Sequence, residues 1–139
     1  MLDLKQPRHA HALERLRDNP MIWLSSVRPD GRPHIVPVWF VLDDDSILIF
    51  SIPDNQKVRN LRQNPNVMLA LDDTQGGGDV VMIEGRAELL SDPKVTAAAM
   101  PAYAQKYAKQ IAQLFSDPAG MAKQYSQAIR ITPTRILAY

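Results

Sequence analysis

The chain has no cysteine among its 139 residues. That absence removes disulfides, thiolate zinc sites, iron–sulfur clusters and cysteine nucleophiles together, and it suits a reducing, cytoplasmic setting. Charge imbalance is lacking too. The 16 Lys and Arg against 15 Asp and Glu leave a formal net charge of +1, so no global field draws in nucleic acid and any anion site has to be a local cluster. No apolar run exceeds strand length, which argues against a membrane-spanning helix. Met1–Asn19 carries Lys5, Arg8, Arg15 and Arg17 without an apolar stretch and does not read as a signal peptide. Glycine numbers only six, half of it in Gly76-Gly77-Gly78. There is no internal repeat. What remains, 45% hydrophobic and 22% charged residues, is the composition of a globular protein, expected to form a single domain over 1–139.

Periodicity and turn chemistry order the chain. Residues 8–18 read as an amphipathic helix with Leu13 and Leu16 on its apolar edge, closed at Asn19-Pro20 because a residue before proline avoids helical angles. Met21–Val27 reads as a strand, Arg28-Pro29-Asp30-Gly31-Arg32 as a turn, and Pro33–Leu42 as the next strand. Pro37 removes a ladder donor, which places that stretch at an edge, a bulge or a site. Asp43-Asp44-Asp45 turns into Ser46–Ser51. A second helix follows from Pro53-Asp54 to Gln63, with Asp54 as its expected N-cap. Strands are expected at Asn66–Asp72 and Asp79–Leu90. Ser91-Asp92-Pro93 signals a helix start, two or three short helices occupy 93–125, and a last strand at Ala128–Tyr139 has Pro133 at a bulge or edge. Tyr103, Tyr107, Ile111 and Leu114 share a helical face, suited to core or dimer packing. Six strands with hairpin-length connections predict an antiparallel barrel, too narrow to enclose a large ligand.

Two stretches can carry chemistry. From Ser51 to Asn60 a strand ends in a hydroxyl and a helix begins, bearing Lys57, Arg59 and Asn60. A phosphate needs converging donors and positive charge, and a strand-end hydroxyl, a helix N-terminus and a first-turn lysine supply them together. A solvated helix face would use the same residue types. In His34-Ile35-Val36-Pro37-Val38-Trp39-Phe40, backbone beside an aromatic residue can lie against a planar ring; a core strand with a buried tryptophan is the other reading. Gly76-Gly77-Gly78-Asp79 permits close backbone approach but lacks the spacing of a phosphate loop, and a flexible hairpin loop suits it equally. His9, His11 and Glu14 are too few and too divergent for a metal site. No Ser-His-Asp arrangement can be argued from spacing.

These segments, in this order, resemble the pyridoxamine-5'-phosphate-oxidase-like, flavin-binding split-barrel superfamily. The matching stretches are Ile22-Trp23-Leu24, Arg28 to Pro33, Val36 to Phe40, Ser51, Lys57 to Leu61, Asn64 to Val67, Gly77 to Ala87, and Ile129 to Arg135. The likeness spans nearly the whole chain and is nearest the branch that uses the deazaflavin coenzyme F-420. It implies a six-stranded split barrel and a homodimer with two cofactor sites at the interface. Ser51, Lys57 and Asn60 would hold the cofactor phosphate, and Arg59 the phosphate or the acidic tail. Val36, Pro37, Val38 and Trp39 would lie along the ring, with Gly77 and Gly78 approaching from the partner or an adjacent loop. The implied activity is hydride transfer from reduced F-420 to a small conjugated or quinone-like acceptor. The alternatives are an FMN-dependent enzyme on the same scaffold, or a flavin- or haem-binding protein without turnover. The arginine-rich signature and C-terminal substrate residues of true pyridoxamine-phosphate oxidases are missing, so the resemblance does not extend to that substrate.

Overall fold

A computed structural model of the protein describes residues 6–72, 75–97, 99–115 and 117–139; Lys5 lies outside them. The elements are α1 (Pro7–Asp18), β1 (Ile22–Val27), β2 (Pro33–Val38), β3 (Val41–Asp43), β4 (Ser46–Ser51), α2 (Gln56–Gln63), β5 (Asn66–Ala70), β6 (Val81–Leu90), α3 (Pro101–Lys106), α4 (Ala108–Phe115), α5 (Pro118–Gln124) and β7 (Gln127–Ala138). All seven strands join one sheet in the order β2-β1-β5-β6-β7-β4-β3, and every ladder is antiparallel. Val38, from one end of this sheet, shares a core with Ile47 and Ile49, from the other. The sheet is therefore curled into the expected split barrel.

One strand more than expected is present because Pro33–Leu42 does not run through. It breaks at Trp39 and Phe40, and the two resulting strands become the two edges of the sheet. Backbone groups freed at such a break need partners. The Tyr107 hydroxyl accepts from the Phe40 N–H at 2.9 Å, and the Lys106 ammonium donates to the Phe40 carbonyl at 3.0 Å. The Lys106 ammonium also lies 3.7 Å from the centre of the Phe40 ring. The barrel thus opens at a seam closed by side chains instead of a ladder. Pro37 sits on the edge strand, as its missing amide requires.

Two cores follow. Inside the curl, alternate residues of the strands pack with Ala12 and Leu16 of α1 and with Val58 and Leu61 of α2. Outside, Val41, Leu48, Phe50 and Ala128 pack under α3–α5 with Tyr103, Tyr107, Ile111 and Met121. The tyrosine stripe is core, but only in part as expected. The helix breaks at Tyr107, which turns Leu114 out to 66% exposure.

Two expected caps move. The α2 N-cap is Asn55, whose side chain accepts from the Val58 N–H, while Asp54 adopts φ +62° in the preceding turn and pairs with Arg62. Ser91-Asp92-Pro93 starts no helix: the Asp92 carboxylate accepts from the Lys94 N–H in a turn, and helix begins only at Pro101. Pro133 lies beside a bulge, where the β6–β7 register slips between Glu84 and Gly85. A β-carbon on Gly85 would meet Ile131 Cγ2 at 2.8 Å and the Thr132 carbonyl at 3.0 Å, so the close approach of the strands requires glycine there.

Candidate functional site

α2 packs against β1 and β6, and its buried Asn60 reaches the end of β1. Asn60 is fully buried; its amide nitrogen donates to Ser26 Oγ at 2.9 Å, and its carbonyl oxygen accepts from Gln56 at 2.7 Å. Ser51 is also fully buried, its hydroxyl within reach of the Ile52 carbonyl at 3.0 Å and the Asn55 side-chain oxygen at 3.2 Å. Both residues secure the strand-to-helix handover and present nothing outward. Arg59 is exposed and donates to Gln56 at 2.8 Å.

Lys57 differs from all three. It is half-buried, and its ammonium has neither a hydrogen bond nor an ion pair among the described residues. Burial alone holds its pKa below the usual lysine value. It lines a groove of about 240 Å³ together with Pro37, Val38 and Trp39. The rest of its lining is apolar or aromatic: Met21, Phe50 and Tyr103, with Leu114, Phe115, Met121 and Tyr125 from the helical segment. One face of Trp39 stacks on Tyr107, 4.6 Å between centroids and 4° between planes, which fixes the indole in the groove lining. Phe115 and Tyr125 brace each other edge to face at 5.5 Å. The structure therefore joins the two sequence stretches in one apolar groove with a single unpartnered cation.

Val36 points into the barrel, against the inner core, and does not line the groove, while Pro37 points outward, following strand alternation. Gly77 and Gly78 stand apart. Gly78 lines a different groove, with Pro7, Arg8 and His11 of α1 and Tyr139 at the chain end. That loop is tied to α1, since Arg15 donates to the carbonyls of Asp72 and Asp79 and His11 lies 2.9 Å from the Asp79 carboxylate. Within one chain the glycines do not reach Lys57's groove.

The helical wall carried no signal beyond apolar spacing in the sequence. His34 was equally silent, although the hairpin register counted from the Arg28–Arg32 turn sets it opposite Ser26. Its Nδ1 is enclosed and without a partner, and burial, with the cations Arg28 and Lys57 nearby, holds its pKa below the usual imidazole value.

A family profile described as pyridoxamine 5'-phosphate oxidase matches residues 9–139. The chain belongs to that family. Solved structures agree on the fold. A conserved hypothetical protein of Mycobacterium tuberculosis superposes with a TM-score of 0.77 at 22% identity, over 94% of this chain and 82% of that one. An F420 reductase gives 0.69 at 25% identity, over 89% and 94%. HutZ, a haem storage protein from Vibrio cholerae, gives 0.67 at 16%, over 96% and 95%. Curated sequences return no match. Members of the family's fold thus include proteins named for deazaflavin chemistry and for haem storage, so the fold alone does not select between them.

Proposed function

We propose that this protein is an oxidoreductase which, as a homodimer, holds coenzyme F-420, or alternatively FMN, at the subunit interface and reduces a small conjugated or quinone-like acceptor. The observation that carries this reading is Lys57. A half-buried ammonium with no protein partner costs stability unless a ligand supplies the counter-charge. Here it stands at the mouth of an apolar, aromatic-walled groove, which suits a planar ring joined to an anionic group.

The residues fit such a cofactor selectively. Lys57 would hold the phosphate, and the edge of β2 from Val36 to Val38, with Trp39 just past its end, would lie along the ring, with unpaired backbone groups available to its polar rim. Ser51 and Asn60 act beneath, by fixing α2 so that Lys57 faces the groove. Arg59 would reach the phosphate or an acidic tail. When bound, a reduced deazaflavin or flavin supplies a hydride. The chain positions the ring, excludes water from one face and leaves the other to the acceptor.

The dimer is supported by the outer sheet face. Pro37, Trp23, Ala70, Met82 and Leu137 are cross-strand partners in one row over five strands, and each is at least partly exposed. An apolar row across five strands is suited to a partner surface. Because Gly78 lines a different groove within one chain, the partner's copy of Gly77-Gly78 would be the one to approach the cofactor.

Titration of the purified protein with F-420 and with FMN, followed by absorbance, tests the reading. Saturable binding and consumption of the reduced cofactor with quinone-like acceptors are expected. Binding without turnover would favour a carrier or sensor, and no binding of either cofactor would refute the assignment.

A further inference from the structure

We propose that His34 is a second contact to the anionic group held at Lys57, donating a hydrogen bond from Nε2; this rests on the reading of Lys57 given above. The placement comes first. His34 pairs with Ser26 across the β1–β2 hairpin, and both side chains point into the barrel end. Asn60 donates to Ser26 Oγ at 2.9 Å, and Lys57 stands three residues before Asn60, on the same side of α2. Ser26 and Asn60 thus link the two residues, and Lys57 is near enough for its charge to act on the imidazole, although His34 does not itself line Lys57's groove.

The ring's two nitrogens differ. Nδ1 is buried and has no partner. Nε2 has no hydrogen-bond partner among the described residues either, yet it is not enclosed. A proton on Nδ1 would be a buried donor with nothing to accept it, which is costly. The proton therefore rests on Nε2, at the accessible edge of the ring. The lowered imidazole pKa agrees: a second proton would have to enter the closed Nδ1 position beside two cations, Arg28 and Lys57. His34 thus remains a neutral, oriented donor. Its N–H adds direction to a site whose charge comes from Lys57, and an anion that accepts from both gains a second fixed contact.

The test compares ligands that differ in the phosphate: FMN against riboflavin, and F-420 against its phosphate-free ribityl fragment. Dissociation constants are measured for wild type, His34→Gln, His34→Asn and His34→Leu, after thermal melts confirm that each is folded. A glutamine amide nitrogen occupies the place of Nε2, and an asparagine amide that of Nδ1. Wild type and His34→Gln should prefer the phosphate-bearing ligand equally. His34→Asn and His34→Leu should lose about tenfold of that preference, while the phosphate-free ligands bind all four proteins alike. Full preference retained in His34→Leu, or loss in His34→Gln as large as in His34→Asn, overturns the proposal and leaves the Lys57 reading intact. No phosphate preference in wild type removes both.

Discussion

Replacing Lys57 by methionine keeps the apolar stem and deletes the charge, and it should move ligand affinity and protein stability in opposite directions. Lys57 makes no hydrogen bond or ion pair within the described protein, so nothing internal is lost. A phosphate about 4 Å from the ammonium gains about 4 kcal/mol at an effective dielectric near 20. Desolvation of both groups reduces the net contribution to about 1.5–3 kcal/mol, or roughly 10- to 100-fold in Kd. Stability should rise instead. The folded-state pKa of Lys57 lies below the ordinary value of 10.5, so the unfolded chain holds the proton more tightly. The folded state carries this penalty in full at neutral pH and sheds it as pH climbs through the lowered pKa toward 10.5. Lys57→Met removes the penalty, so the ligand-free variant should melt higher than wild type near pH 7. Isothermal titration with FMN or F-420 and calorimetric melts of the ligand-free protein measure the two effects. A solvated lysine predicts no change in either. Unchanged affinity, or a lower melting point with unchanged affinity, refutes the reasoning.

Four further outcomes are expected. Tyr107→Phe strips the buried Phe40 N–H of its acceptor, which should cost about 1–3 kcal/mol in urea unfolding; a wild-type midpoint would show that the seam is closed by something else. Gly85→Ala forces a β-carbon against Ile131 and the Thr132 carbonyl and should destabilise by about 1–3 kcal/mol, with equal stability counting against the close strand approach. Burial lowers the Lys106 pKa from 10.5 to about 8, so wild-type stability should increase from pH 8 to 10.5 more steeply than that of Lys106→Met; parallel profiles would contradict the assigned burial. Trp23→Lys, in the centre of the apolar row, should shift sedimentation from dimer to monomer, and an unchanged sedimentation coefficient would move the interface elsewhere.

Much of this architecture is legible in the chain because local chemistry and tertiary structure agree. The Arg28–Arg32 turn carries glycine at φ +90° where a positive angle is needed, and the pre-proline residues Asn19 and Asn64 close α1 and α2. The extra strand was not legible. Nothing near Trp39 and Phe40 signals a break; it depends on Tyr107 and Lys106, more than sixty residues away. Asp54 and Asn55 are both good caps, and the positive φ at Asp54 selects between them. At the site, Lys57 stood out by its place in a first turn. Ser51 and Asn60 have suitable chemistry but point inward, a matter of burial that spacing does not encode. The helical wall reads as ordinary core, since an aromatic residue facing a groove and one facing a neighbour share the same periodicity.

The most direct measurement is a crystal structure of the protein grown with F-420 or FMN. The account predicts the cofactor's phosphate within hydrogen-bonding distance of Lys57 Nζ, its ring along Val36–Trp39, and glycines 77 and 78 of a second copy closing over it. A cofactor seated elsewhere, with Lys57 turned into solvent, would contradict it.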